Sequence, residues 1–451
     1  MKEDLLTIKA YVGGKTINKS LIWGKDWGEE KALFLDIERI QTFLMYNFHN
    51  RAWDFARIAA AVYAADRNIK RPPKSGNDAW VREIHLKFSV TEPDFWNSTD
   101  TAKLMTEVLH FLTGDDWYFE FIATVKNGQM RYLAFDFPES TKYFLYSGGL
   151  DSAAGLVKYA YEHPGEIIIP LLIGHRSNMA GKVKNQIQRI HEKFTNVQRA
   201  VVASFKMSSP KNEERSQRSR NFLFLAIAGI ATTKHDNDSL VLLGENGIGA
   251  INLPLSTLMI STMATRGTHP TFLSKMSNLS SHVLGKRIEY SLPNLHLTKG
   301  ELVKVLKAQG LEGIVTTTFS CSHLLREKIT DQCGQCPACI FRRQSLWIAG
   351  IAEDERRYKH HLFEFNSSAI SRIAKEAVCN YLEMIDRVRT SKTKEAVDWI
   401  AYHCKTTEMT ATPEIYDLFG RYRREWLDLC DAAQKERWSW GSFKMPYRYE
   451  S

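Results

Sequence analysis

The chain lacks several things that would narrow it to other classes of protein. No apolar run approaches the roughly 18 residues that a membrane-crossing helix needs. The start, Met1-Lys2-Glu3-Asp4, carries no apolar signal-peptide core. There is no internal repeat, no low-complexity tract, and no lysine/arginine block of the kind that forms a nucleic-acid-binding arm. The Gly-Lys-Ser/Thr ending of a Walker loop is absent. Cysteine is scarce: of seven, Cys379, Cys404 and Cys430 are scattered, while Cys321, Cys333, Cys336 and Cys339 share one short segment. An odd total with a single cluster is not a secreted disulfide framework, so a reducing, cytoplasmic compartment is expected.

What remains is ordinary globular composition, 44% hydrophobic and 25% charged over 451 residues, enough for about two to three domains. The formal net charge of +9 reads either as a mildly basic surface or as a preference for polyanions such as ATP or RNA. Charge alone does not separate these, and nothing points directly to nucleic acid.

Three regions differ in rhythm. Residues 1–140 mix strand signals (Leu5–Val12, Lys31–Asp36, Val81–Val90, Trp117–Val125) with helical ones (Glu38–Ala65, Thr101–Leu112) around a loop at Arg71–Gly76, giving an α+β module. Residues 141–352 alternate strand and helix. The strands are Thr141–Tyr146, Glu166–Ile173, Asn196–Ala203 and Ser239–Leu243; the helices run through about Glu162, over Lys182–Phe194 and over Asn221–Thr233. Such alternation predicts a parallel, doubly wound sheet with right-handed crossovers. Thr298-Lys299-Gly300-Glu301 predicts a capping box opening the helix Leu302–Gln309. Residues 353–451 look helical, with Trp399, Trp426, Trp438 and Trp440 interleaved among charges.

The chemistry is concentrated in two places. Ser147-Gly148-Gly149-Leu150-Asp151-Ser152 stands between a predicted strand and a predicted helix. Glycines there let the backbone approach an anion, and the unpaired N–H groups at the helix start favour phosphate. Ser147 and Ser152 add hydroxyl donors. Asp151 would repel phosphate unless it holds Mg²⁺ or fixes the loop's amides. The plainer alternative is a βα turn with an Asp/Ser cap. The second place is Cys321 with Cys333-Gly334-Gln335-Cys336-Pro337-Ala338-Cys339. Four thiolates close a tetrahedral, structural Zn²⁺ site with no open position; disulfide pairing and an iron–sulfur cluster are the alternatives.

The Ser-Gly-Gly-x-Asp-Ser segment resembles the signature of the PP-loop ATP pyrophosphatases, which split ATP between the α and β phosphates. Together with the cysteine run it is similar to 7-cyano-7-deazaguanine synthases, as are Arg218–Leu225, Thr318–Ser322, Thr298–Glu301 and Cys339–Arg342; the likeness covers about residues 143–350. It implies a Rossmann-like α/β fold of the adenine nucleotide alpha hydrolase type with a zinc knuckle. It also implies ATP, Mg²⁺ and a deazaguanine substrate, whose carboxylate is adenylated and then attacked by ammonia. Arg220 becomes a candidate for the phosphates or a plain helix-start residue, and Asn221 a cap or a nucleotide contact. Glu245 and Asn246, at a strand's carboxyl end, face a ligand or form a polar turn.

One departure is clear. The family's Asp-x-x-x-Tyr-Pro-Asp-Cys-Arg stretch is replaced by Gly244-Glu245-Asn246-Gly247-Ile248-Gly249-Ala250-Ile251-Asn252-Leu253-Pro254-Leu255. Long chains of this shape resemble the synthase-like proteins of bacterial anti-phage operons, which implies joining a deazaguanine to the N-terminus of a partner protein. A standalone nitrile synthase using ammonia and a non-catalytic nucleotide-binding scaffold are the competing expectations.

Overall fold

The computed structural model describes residues 5–12, 14–23, 32–36, 38–44, 46–71, 81–124, 140–174, 177–207, 214, 216–235, 237–255, 266–322, 332–361, 372–387 and 394–438. Pro72–Gly76, Lys31, Val125 and Trp440, named above, lie outside them.

The N-terminal region runs β1 (Leu5–Val12), β2 (Lys15–Trp23), β3 (Ala32–Asp36), α1 (Glu38–Leu44), α2 (Asn50–Asn68), β4 (Glu83–Val90), α3 (Pro93–Trp96), α4 (Thr99–Thr113) and β5 (Asp116–Ala123). The central region continues with β6 (Thr141–Leu145), α5 (Leu150–Glu162), β7 (Ile167–Ile173), α6 (Ser177–Lys193), β8 (Val201–Met207), α7 (Arg220–Ala231), β9 (Ser239–Leu243), α8 (Gly247–Ile251), α9 (Pro270–Leu284), β10 (Ile288–Ser291), α10 (Lys299–Ala308) and α11 (Pro337–Ile348). Three helices close the chain: α12 (Arg372–Arg387), α13 (Lys394–Thr406) and α14 (Pro413–Lys435).

The expected doubly wound sheet is present. β10, β9, β6, β7 and β8 lie side by side in that order, every neighbouring pair parallel. The parallel part therefore starts in the middle at β6, runs outward through β7 and β8, and returns to the other side for β9 and β10. Strands that feed parallel neighbours must cross over through helices. Helices α5, α6 and α10 cover one face and α7 and α9 the other. Alternate residues of each strand supply the two cores: Phe144 and Leu242 face α5, while Tyr143 and Val241 face α7 and α9. The reversal of winding lies between β6 and β9, and open α/β sheets bind ligands just beyond the carboxyl ends of the strands there.

The sheet does not stop at β8. β3 pairs with it antiparallel, and β2, β1, β4 and β5 follow, so ten strands form one sheet. The N-terminal helices α2 and α4 share the core of α7 and α9. Between them sits a buried ionic cluster: Arg82, 0% exposed, donates to Asp66 at 2.5 Å and to Asp115 at 2.6 Å. Asp66 also accepts from the Ser219 amide (3.0 Å) and hydroxyl (2.8 Å), which ties the N-terminal region to the start of α7.

Some sequence expectations shift. The stretch Glu38–Ala65 is two helices rather than one, and His49 caps the second by accepting from the Ala52 amide. The strand expected at Asn196–Ala203 is β8 at Val201–Met207, with only Val197 bridged to Ile168 before it. No helix among the described residues is long and apolar enough to cross a membrane.

Candidate functional site

β6 ends at Leu145, and the turn Tyr146–Gly149 delivers the chain to α5. Gly148 has φ +75°, a left-handed conformation that L side chains avoid. The two serines hold the turn together. Ser147 Oγ lies 3.0 Å from Ser152 Oγ and accepts from the Gly149 amide at 3.2 Å. Ser152 Oγ accepts from the Ser147 amide at 3.3 Å and lies 3.1 Å from the Gly149 carbonyl oxygen. Gly149 occupies the N-cap position of α5 with no side-chain cap, so the amides of the first turn keep their donors free. The expectation that Asp151 might fix the loop's amides is corrected: the hydroxyls do that.

Asp151 faces another way. Its carboxylate accepts from Lys299 Nζ at 2.8 Å and from Asn246 Nδ2 at 2.8 Å. Lys299 is the first residue of α10, capped by Thr298 in the expected Thr298/Glu301 box, and its ammonium lies 4.7 Å over the Phe341 ring. Asn246 caps α8 by accepting from the Gly249 amide at 3.0 Å and also donates to Glu245 at 2.9 Å. Burial, with the nearby Asp151 charge adding to it, pushes the Glu245 carboxyl up to about 8. The turn after β6 and the turn after β9 thus meet at the point where the winding reverses. They can meet because α5 passes the end of β9 at glycine: a Cβ on Gly155 would stand 2.6 Å from Gly244 Cα.

The far wall is the segment after α10. The Phe319 amide donates to the Gly148 carbonyl at 3.2 Å, and Gln186 Nε2 donates to the Thr317 carbonyl at 2.7 Å while its Oε1 accepts from the Tyr146 hydroxyl at 2.8 Å. That segment runs straight into Cys321. The thiols of Cys321, Cys333, Cys336 and Cys339 are all buried, with their sulfurs within 4.8 Å of one another. A tetrahedral zinc with metal–sulfur distances near 2.3 Å has sulfur–sulfur edges of about 3.8 Å, so the donor set and its spacing fit that ion. No disulfide joins the seven cysteines in this structure. Gly334, φ +79°, turns the knuckle beneath the His360 carbonyl. Arg342, fully buried, donates to Thr318 Oγ1 (2.9 Å), Ser320 Oγ (3.2 Å) and Glu353 (2.8 Å). The clasp and Arg342 together fix the segment that leans on Gly148.

Arg220 and Asn221 open α7, at the same carboxyl edge of the sheet but on its other face; no hydrogen bond joins them to Ser147–Ser152. Among the described residues Arg220 donates to Gln217 Oε1 at 3.4 Å and lies over Phe224, whose ring is 5.6 Å from its guanidinium carbon, and no carboxylate pairs with it. Burial lowers its pKa, which is what a guanidinium short of anionic partners shows. Asn221 does not cap α7, because Ser219 holds that position; it donates to the Gly267 carbonyl at 2.8 Å. Lys299 and Gln186 are site residues that the sequence reading did not single out. The motif Thr298–Glu301 marked Lys299 as part of a cap, and nothing in sequence marked Gln186.

A serine–glycine turn between the first parallel strand and its helix, at the reversal of the winding and backed by a four-thiol clasp, defines a PP-loop ATP pyrophosphatase domain. Residues 142–350 match the family described as Queuosine biosynthesis protein QueC. This part of the chain is a QueC-like, ATP-using synthase domain; it spans under half of the sequence. No curated protein matches the chain.

Proposed function

We propose that the chain adenylates the carboxylate of a 7-deazaguanine with ATP and passes the acyl group to an amine, the N-terminus of a partner protein acting in antiviral defence. The observation that carries the ATP half is the turn Ser147–Ser152, whose serines are locked to each other while the first amides of α5 stay unbonded. Those amides suit the β and γ phosphates. A substrate carboxylate oxygen attacks the α phosphorus, the bond to the bridging oxygen breaks, and pyrophosphate departs. Its growing charge is met by the α5 amides, by Lys299 and by Arg220, a guanidinium with no carboxylate partner among the described residues. Mg²⁺ would supply further charge neutralisation, and Asp151 would hold it: a hard carboxylate whose oxygens have lone pairs beyond those given to Lys299 and Asn246 suits that ion. The amine nitrogen then attacks the acyl carbon, AMP leaves, and the amine's proton passes to solvent or to a nearby carboxylate. Glu245 and Asn246, lining the same turn, are assigned to the nucleotide side of this pocket.

The protein-amine half is supported by the replaced stretch Gly244–Leu255 beside the site and by the regions that flank the matched segment on both sides. The test is intact mass spectrometry of co-expressed neighbouring proteins, with ATP, Mg²⁺ and 7-carboxy-7-deazaguanine supplied. A mass increase equal to the acyl group on one N-terminus is expected. Conversion of the free deazaguanine with ammonia and no protein adduct would make the chain a standalone nitrile synthase. ATP binding with neither product would make it a scaffold.

A further inference from the structure

We infer that one face of α14, in the C-terminal extension, is part of the support of the ATP site: Leu418, Arg421, Tyr422 and Glu425 act as positioning residues that aim Lys299 and Asn246 at Asp151. The inference rests on the reading of Ser147–Ser152 as the turn that holds the ATP phosphates.

The four residues stand at i, i+3, i+4 and i+7, one stripe of a helix, and each reaches a different point of the same construction. Glu425, buried, accepts from the Thr298 hydroxyl at 2.5 Å and from Gln344 Nε2 at 3.0 Å. Thr298 is the cap of α10, one residue before Lys299. Arg421 donates to Glu301 Oε1 at 2.8 Å and to the His296 carbonyl at 2.6 Å, while Glu301 Oε2 accepts from the Thr298 amide at 2.9 Å. A capping box ordinarily satisfies itself with two reciprocal hydrogen bonds. Here both of its side chains are also gripped from outside, by two residues of one helix.

Tyr422 makes the third hold. Its ring meets Phe341 edge-on at 5.6 Å, and the Phe341 ring is the surface on which the Lys299 ammonium rests. Leu418 makes the fourth, on the other partner of Asp151: a Cβ on Gly247, the residue after Asn246, would stand 2.6 Å from Leu418 Cδ2. Close approach is also enforced at Gly300, where a Cβ would stand 2.8 Å from Glu425 Oε1. Both groups that hold the Asp151 carboxylate are therefore braced from α14, which lies outside the segment matched to the family.

The test uses the full-length protein, with Mg-ATP binding followed by calorimetry, alongside zinc content and melting temperature. Arg421→Ala, at a partly exposed side chain, and Glu425→Ala are each expected to weaken ATP binding about five- to tenfold, the scale of an indirect coupling rather than a lost contact. Zinc content should be unchanged. Glu425→Gln, which keeps an acceptor for Thr298, should recover most of the loss. Lys299→Ala weakens binding on its own, and adding Arg421→Ala or Glu425→Ala to it should cost no more than about twofold further, because the brace acts through Lys299. Multiplicative effects in the double variants would overturn the inference while leaving the ATP site standing. Unchanged binding in Lys299→Ala, or no binding by the unmodified protein, would overturn the ATP reading itself and the inference with it.

Discussion

Replacing Gly148 with alanine tests the phosphate turn at its tightest point. The residue has φ +75°, so any L side chain incurs the left-handed penalty, about 1–2 kcal/mol. The added methyl would also stand 2.5 Å from Val183 Cγ2. Val183 is 0% exposed within the core of α5, α6 and α10 and cannot swing aside, and overpacking of this kind costs about 1–3 kcal/mol. The turn is at the surface, with Ser147 exposed, so the chain escapes by abandoning the turn rather than by unfolding. Binding ATP must then restore it. Even the low end of the sum, about 2 kcal/mol, weakens affinity about thirtyfold. Trimming the obstacle separates the two costs. Val183→Ala removes the clashing methyl but not the backbone strain, so the double variant should bind ATP about tenfold more weakly than the original protein. Val183→Ala alone should lower stability by about 2 kcal/mol through its cavity and leave affinity untouched. The assay is calorimetric titration with Mg-ATP beside a thermal melt. Gly148→Ala with full affinity and a normal melt would refute the assignment of these amides to the phosphates, and failure of Val183→Ala to rescue would refute the steric account.

Glu245 gives a pH signature. Its folded pKa of about 8 lies above the ordinary 4.5, so the folded chain holds the proton more tightly; the associated stability is full below about pH 4.5 and is lost as pH rises through 8. Glu245→Gln cannot ionise, so its melting temperature should gain on that of the original protein between about pH 5 and pH 8, and a constant difference would contradict the assignment. Asp66→Ala leaves buried Arg82 with a single carboxylate and strips the Ser219 amide of its partner, which should cost about 3–5 kcal/mol in urea denaturation; a loss under about 1 kcal/mol would mean the cluster is not what joins the two regions. One zinc per chain is expected by elemental analysis and none in Cys336→Ala, with the loss of metal-linked folding energy on the order of 10 kcal/mol leaving that variant unable to melt cooperatively; iron in place of zinc would correct the metal.

Legibility followed the range of the interactions. β9 at Ser239–Leu243 was readable residue for residue because a buried parallel strand is a short apolar run. The Thr298–Glu301 box was readable because both of its bonds are local. β2, Lys15–Trp23, was missed: a strand studded with Lys15, Asn18 and Lys19 has no clean alternation, and its place comes from pairing with β1 over residues 15–22. Lys299 could be seen only as a capping neighbour, since its partner Asp151 is remote in sequence and near only once α10 lies on α5. Asn221 invited a capping role by its type, yet tertiary contact with Gly267 takes its amide. The four cysteines were legible because metal-ligand spacing is itself a local code.

The antiparallel seam between β3 and β8 bears on any attempt to work with a shortened protein. Trimming the chain to the segment that matches the family would uncover the outer hydrogen-bonding rim of β8 together with the oily flanks of α7 and α9 that now rest on α2 and α4. An unpaired rim beside greasy helices recruits other copies of itself. The matched piece should therefore precipitate when produced alone, and the N-terminal strands are best regarded as the missing half of its wall.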